Sequence, residues 1–298
     1  MYDLNIAWSP STTHDQLLQI LTLASSLGYA TVALNHTLVP PLAAAPAAPF
    51  PPAATLAAAT TKIPNILHRA TIPLSDPAAP GFRLQTLVAA YDLLAVRPST
   101  DKAFQNACLT LDVPLISLDL AQPLPFYFKP KPCMTAVARG VRFEVCYAQA
   151  LAADTRGRAS FIGNVTNLVR ATRGRGIILS SEAKDALSLR APADVVNLLS
   201  VWSLPSEKGM LGLGALPRGV VVNEGMKRSG FRGVVDVVEI AKRDDEDQDE
   251  AAENGKNKKN KGQNQKRKGG DEDSQAISKR QAKKMKLASR GAAALEKK

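Results

Sequence analysis

Residues 2–35 read YDLNIAWSPSTTHDQLLQILTLASSLGYATVALN, and this stretch decides the fold. Residues 2–8 predict a strand. Thr13, with Gln16 three positions on, has the pattern of a capping box, in which each side chain satisfies an amide that the first helical turn leaves free. Leu17, Ile20, Leu21, Ala24 and Leu27 follow at helical spacing. Gly28 suits the helix end, where a left-handed residue is wanted. Residues 29–35 form the apolar run of a parallel strand buried on both faces.

The same alternation continues. Further strands are predicted at 66–74, 93–97, 115–120, 141–147, 176–179 and 219–223. Helices fall near 82–91, 100–108, 132–139, 158–173 and 182–190. Another begins after Asp194 as its N-cap, and a last one covers 224–232. Seven or eight strands alternating with helices predict an α/β fold, a TIM-like (β/α) barrel over residues 1–240. An open doubly wound sheet is the alternative. Its glycine-rich phosphate turn is missing, because the first turn reads Trp8-Ser9-Pro10-Ser11.

Two biased segments interrupt this order. Residues 40–60 hold six prolines and ten alanines, which predicts an extended surface loop. Residues 241–298 carry 17 basic and 11 acidic side chains with four large aliphatic ones. Such a segment buries too little to offset chain entropy, so a disordered tail is expected. It contains Arg267-Lys268 and, ten residues later, Lys279-Arg280 and Lys283-Lys284, the spacing of a bipartite nuclear localisation signal. Import into the nucleus is expected from it, the alternative being a generic basic tail that touches nucleic acid.

The chain has 298 residues, 45% hydrophobic and 22% charged, with a formal net charge of +11. No 18-residue apolar run suggests a membrane span, and no secretory leader is seen. Three scattered cysteines argue against a disulfide scaffold or a zinc knuckle. The positive charge is local. Residues 128–176 carry nine basic and two acidic side chains, a concentration that attracts polyanions. The cations are Lys129, Lys131, Arg139, Arg142, Arg156, Arg158, Arg170, Arg173 and Arg175. Arginine holds phosphate through a planar fork. Arg170 and Arg173 are expected to project together from a helix end, with Ser180-Ser181 starting the next helix, where free amides accept an anion. Arg142 and Glu144 share one face of a strand, either paired internally or facing RNA.

Enzyme parts are sparse by comparison. His14, His36 and His68 match no metal spacing. Asp119 has no obvious partner. The glycines of 209–214 form a Gly-rich turn without the Lys-Ser/Thr of a phosphate loop.

Several motifs together resemble one family. They are Asp3-Leu4-Asn5, Arg139-Gly140-x-x-Phe143-Glu144-x-x-Tyr147, Asn164 with Leu168, Arg170-x-Thr172-x-Gly174, Ile178-x-Ser180-Ser181 and Leu189-Arg190-x-Pro192-x-Asp194-Val195. Residues 1–235 resemble the thirty-kilodalton protein subunit family of ribonuclease P and ribonuclease MRP. The resemblance implies a barrel related to the polymerase-and-histidinol-phosphatase (PHP) metallohydrolases. Those enzymes carry Asp-Leu-His-x-His at the first strand, where this chain has Asp3-Leu4-Asn5-Ile6-Ala7. It therefore implies a non-catalytic subunit that binds a Pop five-type partner and other subunits. It also implies support of a catalytic RNA whose Mg2+ ions cut precursor tRNA or pre-ribosomal RNA, the chain itself holding no cofactor, in the nucleus and nucleolus. Glu144, Tyr147 and Asn164 would be structural or RNA-facing. Two rivals remain: a divergent metal-dependent phosphoesterase on the same barrel, and an interaction protein that does not touch RNA.

Overall fold

The computed structural model describes residues 1–38, 48–51, 63–75 and 84–228. The tail from 241, with Arg267, Lys268, Lys279, Arg280, Lys283 and Lys284, lies outside the described residues, as does most of the Ala/Pro segment. Seven strands pair in parallel in chain order: β1 (Tyr2–Ala7), β2 (Thr31–Thr37), β3 (Asn65–Leu74), β4 (Leu93–Pro98), β5 (Leu115–Ser117), β6 (Arg142–Cys146) and β7 (Ile177–Ser180). The described helices are α1 (His14–Ser26), α2 (Leu84–Ala90), α3 (Asp101–Leu109), α4 (Pro130–Ala138), α5 (Ala148–Ala152), α6 (Thr155–Thr172), α7 (Pro192–Val201), α8 (Ser206–Leu213) and α9 (Ala215–Arg228).

The sheet curls into a nearly closed barrel. The chain beyond β7 meets β1 through Ala7 N–H to Ala183 O at 3.0 Å and Glu182 N–H to Asn5 O at 2.7 Å. The Asp3 carboxylate accepts from the Ser181 amide at 3.0 Å across the same seam. Inside, Leu4, Ala33, Leu93, Ala95, Leu115 and Ile178 form an apolar layer near the strand starts. Helix α9 covers that base, with Val220 buried and Leu216 and Val221 packed beside it. Around the barrel, Leu17, Ile20, Leu21 and Ala24 of α1 and Phe161, Val165, Leu168 and Val169 of α6 are buried. Each large side chain removed from water contributes roughly 1.5–3 kcal/mol.

The capping box of α1 is present in both directions, and Gly28 follows its end at φ 92°. Several predicted elements differ. The strand at 219–223 and the described part of the helix at 224–232, up to Arg228, are one helix, α9, because Leu216 and Val220 present a helical stripe to the barrel base; residues 229–232 lie outside the described residues. A short apolar run does not distinguish the two. The helix at 182–190 shrinks to a 3-10 turn at Ala186–Ser188, since the chain after Ser181 stays bound to β1. Helix α7 starts at Pro192 with Ala191 as cap, so Asp194 lies within the first turn. There it favours the positive helix end. The Gly-rich segment is helical: Gly209 and Gly212 are buried in α8, and a Cβ on Gly212 would lie 2.8 Å from Ile177 O. These glycines let α8 lie close against β7.

Candidate nucleic-acid interface

Barrel enzymes carry their chemistry at the C-terminal ends of the strands. In this chain that level of the lumen is a closed polar network. Arg69 of β3 and Glu144 of β6 are fully buried, and Arg69 Nη2 donates to Glu144 Oε2 at 2.6 Å. Arg69 also donates to Leu4 O at 2.6 Å and Thr71 Oγ1 at 3.3 Å. Ser180 Oγ donates to Glu144 Oε1 at 2.8 Å. Asn5 Nδ2 donates to Glu144 Oε2 at 3.1 Å, and Asn5 Oδ1 accepts from Asn35 Nδ2 at 2.8 Å. Burial alone would raise the Glu144 pKa. The Arg69 guanidinium and the hydroxyl donors outweigh it and hold the carboxyl down at about 2. Nearer the opening, Arg97 donates to Glu182 at 2.6 Å, and Gln149 donates to the other oxygen of Glu182 at 2.6 Å.

These residues do not fit a catalytic metal. The Asn5 amide nitrogen already faces Glu144, and a guanidinium supplies the positive charge that a cation would bring. Among the described residues no three His, Cys, Asp or Glu side chains are grouped to hold an ion. His68 stacks on Phe50 at 4.5 Å, and His36 sits edge-on to Trp8 at 6.0 Å, so both pack against rings. The three cysteines are buried, and desolvation raises their thiols above the ordinary range.

Sequence reasoning missed Arg69. It placed Glu144 with Arg142 on one strand face, paired internally or facing RNA; in the structure Glu144 is internal but pairs with Arg69, and Arg142 is not its partner. Tyr147 is likewise internal: it is buried and accepts from the Arg190 amide at 3.1 Å. Asn164 donates to Leu120 O at 2.9 Å and Gln122 O at 3.0 Å, clamping the loop after β5 onto α6. Ser180 and Ser181 need correcting as anion acceptors. Both are buried, and they start no helix. The Ser181 amide is held by Asp3 and its hydroxyl by Asn5 O.

The cations separate into used and free. Arg139 donates to Cys108 O, Thr110 O and Leu111 O, closing the carbonyl end of α3. Arg158 donates to Ala150 O and Ala153 O, both at 3.2 Å. Both are occupied by the fold rather than free for RNA. Lys129, Lys131, Arg156, Arg170, Arg173 and Arg175 are exposed. Among the described residues none of these six has an ion pair, and none has a side-chain hydrogen bond.

The helix axis sorts the free ones. Lys129 and Lys131 stand at the start of α4 and Arg156 at the start of α6, the ends that follow strand C-termini. Arg170, Arg173 and Arg175 lie at the opposite end of α6. Arg173 leaves the helix with φ 55°, so it does not continue the line of Arg170. Two further cations approach this turn. The Lys208 stem passes 3.6 Å from where a Cβ on Gly174 would stand, and an Arg142 amino group lies 3.5 Å from that of Gly176. Arg142 is half-buried at the strand base, and its Nε has no partner. Desolvation lowers its pKa. Lys208 was not singled out in the sequence, because it stands far from the basic stretch.

Fold and surface together define the class: a parallel β/α barrel with an internally neutralised polar centre and a basic outer side. The chain belongs to the RNase P subunit p30 family, whose model matches residues 1–229. It is similar to the probable ribonuclease P protein subunit 3 of Schizosaccharomyces pombe, 32% identical over 235 residues, covering 78% of this chain and 97% of that protein. The Saccharomyces cerevisiae ribonuclease P/MRP protein subunit RPP1 is 26% identical over 267 residues, covering 79% of this chain and 84% of that protein. Among solved structures, a chain from archaeal ribonuclease P with mature tRNA superposes with a TM-score of 0.57 at 14% identity. It covers 83% of this chain and 100% of that one, and the likeness concerns the fold.

Proposed function

We propose that this protein subunit of ribonuclease P cuts no RNA itself and holds the catalytic RNA in its working shape, in ribonuclease P and in ribonuclease MRP. One observation carries the reading: cations stand unpaired on the outside of α4 and α6, while the Glu144 carboxylate inside is already neutralised by Arg69.

The mechanism is electrostatic. Folding an RNA brings phosphates together, and fixed guanidinium groups screen that repulsion. Each phosphate engaged also releases condensed counterions, so affinity falls steeply with salt. Such contacts position the backbone without reading bases. The chemistry of cleavage then belongs to Mg2+ on the RNA, acting on precursor tRNA and on pre-ribosomal RNA. A Pop five-type subunit and other proteins of the particle complete the assembly, in the nucleus and nucleolus. The test is a variant with Arg170, Arg173 and Arg175 all changed to Ala, titrated with a transcript of the catalytic RNA. The reading expects a shallower salt dependence, by up to about 0.9 in log–log slope for each phosphate lost. An unchanged affinity and slope would remove the claim.

A further inference from the structure

Arg156, Gly163 and Arg170 are spaced seven apart on α6. At 3.6 residues per turn this keeps them within about 40° of one another around the axis. They lie opposite the buried stripe of Phe161, Val165, Leu168 and Val169, at the outermost line of the helix. Two unpaired guanidinium groups therefore mark the ends of one exposed line, about 21 Å apart. Between them on the outer line the exposed positions are Ala159, Gly163 and Asn167, all short, while exposed Arg158 projects from the other side and donates to Ala150 O and Ala153 O. No acidic residue occurs within this helix or on to 181, and the exposed carboxylate at its start, Asp154, is its N-cap and accepts from the Gly157 amide.

Gly163 is the unexplained member. A Cβ there would meet nothing within 4 Å, so no neighbour in the chain excludes one. Mid-helix glycine is also a poorer helix former than alanine. We propose that a stretch of RNA backbone lies lengthwise along this line, from Arg156 over Gly163 to Arg170, and turns at the helix end towards Arg173, Arg175 and Lys208. A track of about 21 Å thus spans several phosphates, with cations at both ends and close approach in the middle. This rests on the reading above that the outer cations meet RNA, and it adds where the backbone runs.

The experiment uses the full chain and a transcript of the catalytic RNA of ribonuclease P. Gly163→Lys and Gly163→Glu place opposite charges at the middle of the track without touching either arginine end. The position is open, and thermal melting verifies folding. The track predicts that Gly163→Lys binds about fivefold tighter and Gly163→Glu about fivefold weaker, as one exposed charge contact gives. Gly163→Ala should melt higher and bind within about twofold of the parent. If the Lys and Glu variants both bind like the parent while the triple arginine variant is weakened, RNA touches only the helix end and the track is wrong. If the triple variant is also unaffected, the RNA-holding function itself falls.

Discussion

Arg69 and Glu144, from strands β3 and β6, meet in the middle of the barrel with both side chains fully excluded from solvent. The pair joins opposite walls of the lumen. The Arg69 guanidinium, the Asn5 amide and the Ser180 hydroxyl all donate to the Glu144 carboxylate. A buried pair of this kind adds little net stability, because desolvation offsets attraction, yet breaking it strands a charge. Arg69→Met alone should therefore lower stability by about 3–5 kcal/mol, and Glu144→Leu alone by a similar amount. The double variant Arg69→Met, Glu144→Leu should regain most of the loss and keep its RNA affinity. Denaturant titration of the three proteins checks this; a double variant as unstable as the sum of the singles contradicts it.

Asp3 gives the fold a pH dependence of unusual sign. Its carboxyl is buried at the barrel seam, with Oδ2 unpartnered, and desolvation pushes its pKa from 3.8 up to about 6. The folded state thus prefers the protonated form. This group favours folding most below about pH 4 and loses that effect as pH rises to about 6, a change of about 3 kcal/mol. Glu144 acts oppositely, with its pKa depressed from 4.5 to about 2, so its contribution is full above about pH 4.5 and declines only as pH falls towards 2. In Asp3→Asn an oxygen still accepts the Ser181 amide and the charge is gone. Its stability measured in urea at about pH 4.5 and about pH 7 should differ less than the parent's. Equal pH sensitivity in the two proteins would show that Asp3 is not the group responsible.

Two glycines predict opposite effects of one methyl group. Gly176 stands at φ 70°, and a Cβ there would lie 2.8 Å from Val137 Cγ2, so Gly176→Ala combines backbone strain with a clash. Destabilisation by about 1–3 kcal/mol is expected. Gly163→Ala instead gains about 0.5–1 kcal/mol, since the site is open and helical. Melting curves of the two variants should move in opposite directions.

Asn164→Ala tests the clamp between α6 and the loop after β5. It removes two hydrogen bonds to Leu120 O and Gln122 O and leaves those carbonyls to water or to nothing. A loss of about 1–2 kcal/mol is expected, with the RNA salt slope unchanged. A changed slope would mean that Asn164 meets RNA.

Local patterns carried most of the fold. The α1 capping box and the apolar run of β2 each depend on neighbours in sequence, so both were legible. The end of the barrel was not: the Val220-Val221-Val222 run suits a strand or a helix equally, and only the uncovered barrel base decides for a helix. Arg69 was hidden for a related reason. It is one cation in an apolar strand, and its partner stands 75 residues away. The available signal was period two, which puts Leu67, Arg69 and Thr71 on one face, as it puts Arg142, Glu144 and Cys146. Two opposite charges facing into one lumen would have suggested the pair. The free cations were found as a group, but sequence could not separate Arg156 and Arg170 from Arg139 and Arg158. The latter are taken up by carbonyls that only the folded chain brings near.

The most direct measurement is ultraviolet crosslinking of the assembled ribonuclease P particle, followed by mass spectrometry of this chain. The account predicts RNA adducts on peptides of α6 and the turn beyond it, covering Arg156 and Arg170 to Arg175. Lumen peptides bearing Arg69 or Glu144 should carry none. Unmodified α6 peptides in a particle that cleaves precursor tRNA normally, with adducts elsewhere on the barrel, would contradict it.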